Sequence, residues 1–374
     1  MSPTAETYSI ALSMTRGMCH AFLTRMQEAD VTIEDFFGLD TADLVRRLDV
    51  RPALVPRRDV RDEAMARAAE EMKFVNDNGI HVYGYHDPRY PYRLHECVDA
   101  PLVLYVCGEA DLDAERMMSV VGTRRCTAVG TGFVASCIES LATQGIDVSI
   151  ISGLAYGIDT SAHEAALRNN LPTVAVMAHG LDTIYPTANR NLARAIVERG
   201  GAIVTEYPSR TRPFKQRFLE RNRIVAGLSD MTLVVESEVK GGAMSTARLA
   251  FDYDREVGAV PGRWSDTVSS GCHHLIRIQR ASLIASADDV MNTMMWTPKK
   301  KERKNVTPSL FDTLDGDGKT VCDILSHSSE PMLIEALQQT MNMPLSQLLS
   351  LLGELEMDGV VVKLPGNRFM LDAH

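Results

Sequence analysis

The chain has 374 residues, 45% of them hydrophobic and 24% charged, with a formal net charge of −10; these are the proportions of a globular protein of two or three domains, not of a disordered or fibrous one. No apolar run approaches the ~18 residues of a membrane span. Seven scattered cysteines without a Cys-x-x-Cys pair argue against a disulfide framework or a zinc site, and the acidic total argues against indiscriminate coating of DNA, so any nucleic-acid binding must come from a local field.

The opening MSPTAETYSIALSMTRG lacks the charged, apolar and small-residue regions of a secretory signal, so a reducing cytoplasm is the expected location. Residues 1–58 read as a small helical domain: TAETYSIALSMTR, AFLTRMQEA, Thr32–Phe37 and Thr41–Leu48. Of the two threonine starts only Thr32, with Asp35 three residues on, resembles a capping box. Pro52 and Pro56 break the run. A polar helix from Val60 to Asn76 then stops at Gly79.

From Ile80 the period changes. IHVYGY and PLVLYVCG (Pro101–Gly108) are strand-like. Strands at Met118–Gly122, Asp147–Gly153, Pro172–Gly180, Ala202–Glu206, Met231–Glu236 and Glu256–Gly262 then alternate with helices at Gly130–Gln144, Asp159–Arg168, Ala188–Glu198, Arg221–Gly227 and Ser245–Arg255. Apolar strands separated by helices form parallel sheets covered on both faces. The expected fold is therefore α/β, a doubly wound Rossmann-like parallel sheet core over residues 59–296.

Residues 297–317 are charged and aperiodic, a linker. In residues 318–374 the pattern is helices Thr320–His327, Met332–Thr340 and Ser346–Gly359, then VVVKL, a PGN turn and RFML, which is winged-helix-like. This module has three basic residues against seven acidic ones, and its would-be recognition helix, Ser346–Asp358, has no Lys or Arg. Duplex phosphate would repel it, so a protein partner is expected for it.

The chemistry concentrates in two places. Ser209–Arg223, SRTRPFKQRFLERNR, sets six cations (Arg210, Arg212, Lys215, Arg217, Arg221, Arg223) against Glu220 and interleaves Phe214 and Phe218. Cations neutralise phosphates and aromatic rings stack on unpaired bases, which points to single strands more than to duplex. The competing reading is a solvated basic loop with two core phenylalanines. The second place is the Gly-rich turns after strands: Gly122-Thr123-Arg124, Ser152-Gly153 through Gly157 to Asp159, His179-Gly180 and Lys240-Gly241-Gly242. Ligands of open parallel sheets bind there, and helix N-termini add partial positive charge for a phosphate. Arg124 and the Arg221–Asn222–Arg223 trio supply fixed charge.

Each feature also has a plainer explanation. Single glycines make tight turns, Asp159 suits a helix N-cap, His163 packs within its helix, and Glu206 orients an arginine. His273 and His274, read as strand neighbours, point to opposite faces and cannot share a metal. Neither a Walker A loop, a Gly-x-Ser-x-Gly elbow nor a Gly-x-Gly-x-x-Gly turn is present, so no dinucleotide cofactor and no catalytic residue is expected.

Residues 80–285 resemble the family of the DNA-processing protein DprA, also called Smf. The resemblance is carried by HVYGYHDPRYPYRL, DAPLVLYVCG, VVGTR, ISGLAYGIDTSAHEAAL, VAVMAHGLDTIYP, IVTEYP, FLERNRIVAGLS, LVVESEVKGGAMSTARLA and DREVGAVPGR in order. It implies a non-enzymatic, homodimeric protein that binds single-stranded DNA without base preference and loads the RecA recombinase during natural transformation. Carried onto this chain, the phosphate pocket comprises Gly122, Thr123, Arg124, Ser152, Gly153, Gly157, Arg221, Asn222 and Arg223, beside Gly241 and Gly242; Lys215 meets backbone and Phe218 a base. Leu219 stands where the family has Pro, His273 where it has Asn, and Gly17-Met18-Cys19 where a helix–hairpin–helix turn has Gly-x-Gly. An alternative is a nucleotide N-glycosidic hydrolase, because VKGGAMSTARLA resembles the nucleoside-monophosphate phosphoribohydrolase loop. It lacks that loop's Pro, third Gly and Glu, and Leu249 lies near where the acid is needed.

Overall fold

The computed structural model describes residues 3–298, 316–326, 328, 331–357, 360–364 and 367–371. They fall into two compact units, 1–298 and 299–374. Most of the expected linker, His327, the end of the helix at Asp358–Gly359 and the Pro365–Gly366 turn lie outside the described residues.

The first unit opens with helices α1 (Ala5–Met14), α2 (His20–Glu28), α3 (Ile33–Gly38), α4 (Thr41–Leu48) and α5 (Arg58–Asp77). Thr32 caps α3 through the reciprocal bonds with Asp35. Ile10, Phe36, Leu44 and Leu48 are buried in a core continuous with α5 and the sheet domain. Strand β1 (His81–Gly84), helix α6 (Tyr92–His95) and strand β2 (Val103–Gly108) follow. Both strands run antiparallel, β1 on β2 and β2 on β6 (Ala202–Thr205), and so extend one edge of the parallel sheet. Arg93 on α6 is buried against Asp230, at 2.6 Å, and Tyr90 donates to the Pro101 carbonyl, so the tyrosine-rich segment here latches the edge onto the core.

The doubly wound part runs β3 (Met117–Gly122), α7 (Ala128–Thr143), β4 (Ser149–Ser152), α8 (Ile158–Arg168), β5 (Thr173–Val176), α9 (Arg190–Glu198), β6, α10 (Lys215–Gly227), β7 (Met231–Val235), α11 (Gly242–Asp252), β8 (Glu256–Ala259), α12 (Ser270–Arg277), β9 (Ser282–Leu283) and α13 (Ala287–Met294). Strand order is β1-β2-β6-β5-β4-β3-β7-β8-β9, and every pair from β6 to β9 is parallel. The α/β, Rossmann-like core expected from the alternation is the fold observed. From β3 the chain winds outward through β4, β5 and β6, then returns to lay β7 on the other side of β3. The switch point therefore lies beyond Gly122 and Val235, where an open sheet leaves a crevice.

Three local expectations in the first unit need correction. His273 and His274 sit on α12, not on a strand; His273 Nε2 donates to the Gly262 carbonyl at 3.1 Å, and Arg277 donates to His274 Nδ1. Asp159 is the second residue of α8; Gly157 takes the N-cap position with φ of 80°. The basic patch is no loop past Phe214: α10 begins at Lys215, six residues before the expected start.

The second unit contains α14 (Asp317–Ser326), β10 (Met332–Leu333), α15 (Ile334–Met341), α16 (Leu345–Met357), β11 (Val361–Leu364) and β12 (Arg368–Leu371). Its sheet order is β10-β12-β11, the wing of a winged helix. Met332 and Leu333 were expected to be helical, but they pair with Phe369 and Arg368 as a short strand. On α16, Leu348, Leu352 and Leu355 are buried, while Leu345, Leu349 and Met357 are exposed.

Candidate nucleic-acid interface

A cleft of about 730 Å³ lies at the switch point. Its floor is the turn after β3 (Gly122, Thr123, Arg124, Arg125) and the turn after β7 (Ser237, Glu238, Lys240, Gly241). One wall is the start of α11, and the other is Pro213, Phe214 and the first turns of α10. Of the residues expected to bind, Gly122, Thr123, Arg124, Lys215, Phe218, Arg221, Asn222, Gly241 and Gly242 line it. Ser152, Gly153, Gly157 and Arg223 do not.

Those four stand behind the lining. The Ser152 hydroxyl is buried and donates to the Val120 carbonyl at 2.7 Å. A side chain on Gly153 would overlap the Arg221 guanidinium, and one on Gly157 would overlap the Thr123 carbonyl; both glycines allow the close approach that sets the lining in place. Arg223 is paired with Glu206 and donates to the Asp99 carbonyl. Burial raises the Glu206 pKa, and the adjacent Arg223 pulls it back.

The six cations of the patch have different employment. Arg210 is ion-paired with Glu70 and Arg223 with Glu206. Arg221 is 4% exposed and donates to the Gly153 and Val176 carbonyls, beside Asp159. Burial lowers the Arg221 pKa while Asp159 raises it; for Asp159, burial raises the pKa and Arg221 opposes. Arg221 is a strut under the cleft floor whose Nε has no protein partner. Arg217 lies over the Tyr207 ring. Among the described residues, neither Arg212, Lys215 nor Arg217 has a carboxylate within ion-pair distance, and the same holds for Arg124 and Lys240 across the cleft.

The phenylalanines are not core residues. Phe214 is 64% exposed. The Phe218 ring is half-buried beneath the Arg124 guanidinium, 5.3 Å from its centroid, and 5.8 Å from the Tyr185 ring. An aromatic shelf with a cation above it thus faces the N-terminus of α11. That helix is capped by Gly241 with no side-chain bond, so the amides of Gly242 and Ala243 stay open to an anion, while that of Met244 bonds to the Gly241 carbonyl.

Two features were not anticipated from the sequence. Tyr185 joins the shelf from the loop after β5. Glu236, directly after β7, accepts bonds from the Thr127 amide and hydroxyl at the N-terminus of α7. In dinucleotide-binding folds the pyrophosphate sits at that first helix; here a carboxylate fills it, and the open helix end is that of α11 instead. An acid closing an expected strand was the only sequence sign of Glu236. Among the described residues, no group of three or more His, Cys, Asp or Glu is placed to hold a metal ion, and no helix is long and apolar enough to cross a membrane.

The profile of the family DNA recombination-mediator protein A matches residues 81–295, and that of the DprA winged helix domain matches residues 307–367. Protein Smf of Escherichia coli K12 is 34% identical over 281 residues, 74% of each chain. The DNA processing protein DprA of Streptococcus pneumoniae is 40% identical over 205 residues, 55% of this chain and 71% of the relative. The crystal structure of DprA from Streptococcus pneumoniae superposes with a TM-score of 0.64 at 32% identity, covering 78% of this chain and 98% of that one. The DNA processing protein A of Helicobacter pylori, solved for its single-stranded DNA binding mode, gives 0.52 at 31% identity, covering 58% and 95%. With a family profile matched over residues 81–295 and a relative 34% identical over 74% of each chain, the chain belongs to the DNA recombination-mediator protein A family, whose members are called DprA and Smf.

Proposed function

We propose that this protein binds single-stranded DNA in the switch-point cleft without reading base sequence, and that it does so as a binding protein rather than an enzyme. The observation that carries this is the Phe218 shelf beneath Arg124, set opposite the open N-terminus of α11. A ring offers any base a face, and backbone amides with Arg124, Lys215 and Lys240 offer any phosphate a partner; neither distinguishes one base from another. A duplex hides its base faces and gains nothing from the shelf.

The family resemblance and the Helicobacter pylori relative support the same reading. On it, the chain acts in the cytoplasm as a homodimer that protects incoming single strands and hands them to the RecA recombinase during transformation and homologous recombination. Two linked copies raise effective affinity for one strand. The second unit exposes Leu345, Leu349 and Met357 on a helix without Lys or Arg, which suits a protein partner better than duplex phosphate.

The test is fluorescence anisotropy of labelled oligo-dT and of a matched duplex, titrated with the full chain across salt. Tight, salt-sensitive binding of the strand, weak binding of the duplex, and loss of strand binding in Arg124→Ala are expected. Absence of strand binding would refute the reading, and release of free base from a nucleotide would replace it with hydrolysis.

A further inference from the structure

The turn that leads into the aromatic wall is held from a distant helix. Glu71 on α5 is 1% exposed. Its Oε1 accepts from the Ser209 amide at 2.7 Å, and its Oε2 from the Ser209 hydroxyl at 2.6 Å. Arg67, one helical turn earlier, donates to Glu71 Oε2 at 2.8 Å and to the Ser209 carbonyl at 3.0 Å. Every polar group of Ser209 is thereby satisfied by two residues of α5. The next residue, Arg210, is in the left-handed region with φ of 65°, its amide bonded to Asp182 and its guanidinium paired with Glu70. Beyond it the Thr211 carbonyl accepts from the Gly180 amide at 3.0 Å and the Arg212 carbonyl from Arg217, and no second buried carboxylate holds the stretch that carries Phe214, Lys215 and Phe218 among the described residues. The other end of α5 is fixed to the N-terminal helices, where the fully buried Arg61 donates to the Phe36 and Leu39 carbonyls.

We propose that Glu71 is a positioning residue of the strand-binding cleft: by fixing Ser209, it sets where Lys215 and Phe218 stand, and so how many phosphates the cleft engages. This rests on the single-strand reading above. A buried carboxylate is costly unless its bonds are well made, and an apolar residue would fill the same space more cheaply. Here the carboxylate and Arg67 together fasten one residue 138 positions away, at the root of the wall that carries Lys215 and Phe218. The N-terminal helical segment thereby becomes part of the binding machinery without touching DNA.

The experiment uses the full chain with Glu71→Gln and Ser209→Ala. Gln keeps the shape but offers one acceptor oxygen where the carboxylate offers two. Ser209→Ala removes only the hydroxyl bonds, and it reports even if Glu71→Gln fails to fold. Oligo-dT is titrated across salt, and amide hydrogen exchange is followed over residues 208–218. Both variants are expected to bind more weakly, with a salt slope shallower by about 0.7 for each phosphate no longer neutralised. Exchange should speed up in 208–218 while the sheet strands keep the parent's protection. A loss of fold alone would speed exchange throughout and leave the slope of the folded fraction unchanged. If the parent binds, Arg124→Ala abolishes binding, and both clamp variants keep the parent's slope and affinity, the positioning role is wrong and the strand reading stands. If the parent does not bind oligo-dT at all, the strand reading fails and this proposal falls with it.

Discussion

Phe218→Ala separates stacking from charge. The ring is half-buried, so truncation removes little core packing and the thermal midpoint should move little. What it removes is a base platform, worth about 1–3 kcal/mol per base. It also removes the face under Arg124, a cation–π contact worth about 0.5–1 kcal/mol when exposed. The two losses together come to about 1.5–4 kcal/mol, or roughly 10- to 700-fold in Kd. No charge is lost, so the slope of log affinity against log salt should stay at the parent value. Phe218→Tyr and Phe218→Trp should retain binding, and Phe218→Leu, similar in bulk but without a π face, should behave like Ala. Anisotropy on oligo-dT and oligo-dA at several salt concentrations reads all of this. If Phe218→Leu binds as tightly as the parent chain, the ring is not a stacking platform and the central argument for the cleft is refuted.

Two further outcomes test the scaffold behind the cleft. Gly153→Ala drives a methyl into the Arg221 guanidinium; overpacking of this kind costs about 1–3 kcal/mol, read as a lower urea midpoint, and strand binding should weaken although Gly153 is not part of the lining. His163 is fully buried, and burial, then the Arg221 charge, pushes its pKa from 6.5 down to about 3. The folded chain therefore keeps it neutral while the unfolded chain takes up a proton below about 6.5, so its contribution is present above that value and is lost as the pH falls toward 3. At pH 5 the loss is about 2 kcal/mol. His163→Gln should flatten the stability curve between pH 7 and 5 by that amount relative to the parent, and parallel curves would show that the histidine is not responsible.

Much of the architecture was legible because it is local. Runs such as Met117–Gly122 and Met231–Val235 are buried on both faces and read as continuous apolar strands, and the helices between them follow from period and turn glycines. What escaped depends on partners far off in sequence. Met332–Leu333 has helical composition, yet pairing with β12 makes it a strand. The start of α10 carries no capping signal, since Phe214 occupies the N-cap without a side-chain bond. Glu236 reads as an ordinary acid at the end of the expected strand Met231–Glu236; only the fold places Thr127 and the start of α7 against it.

The patch at Ser209–Arg223 shows how composition can point to a cleft wall without saying which of its cations face the cleft. Charge density marked a segment that walls the cleft, but a cation's sequence neighbours do not say whether it faces the cleft or a carbonyl. Arg221 is buried under the floor, Arg223 is spent on Glu206, and Arg210 on Glu70. The cations left facing the cleft are Lys215 from the patch, with Arg124, Arg125 and Lys240 from turns after β3 and β7. A parallel sheet brings together at its switch point turns that are more than a hundred residues apart. Arg221 and Arg223 are structural supports: both bond to backbone carbonyls behind the lining, beneath the few unpaired cations and the Phe218 shelf. On the proposed reading, that division of labour is how a chain of net charge −10 offers a phosphate a favourable site. The field that matters is set by which charges lack a protein partner, not by how many are present.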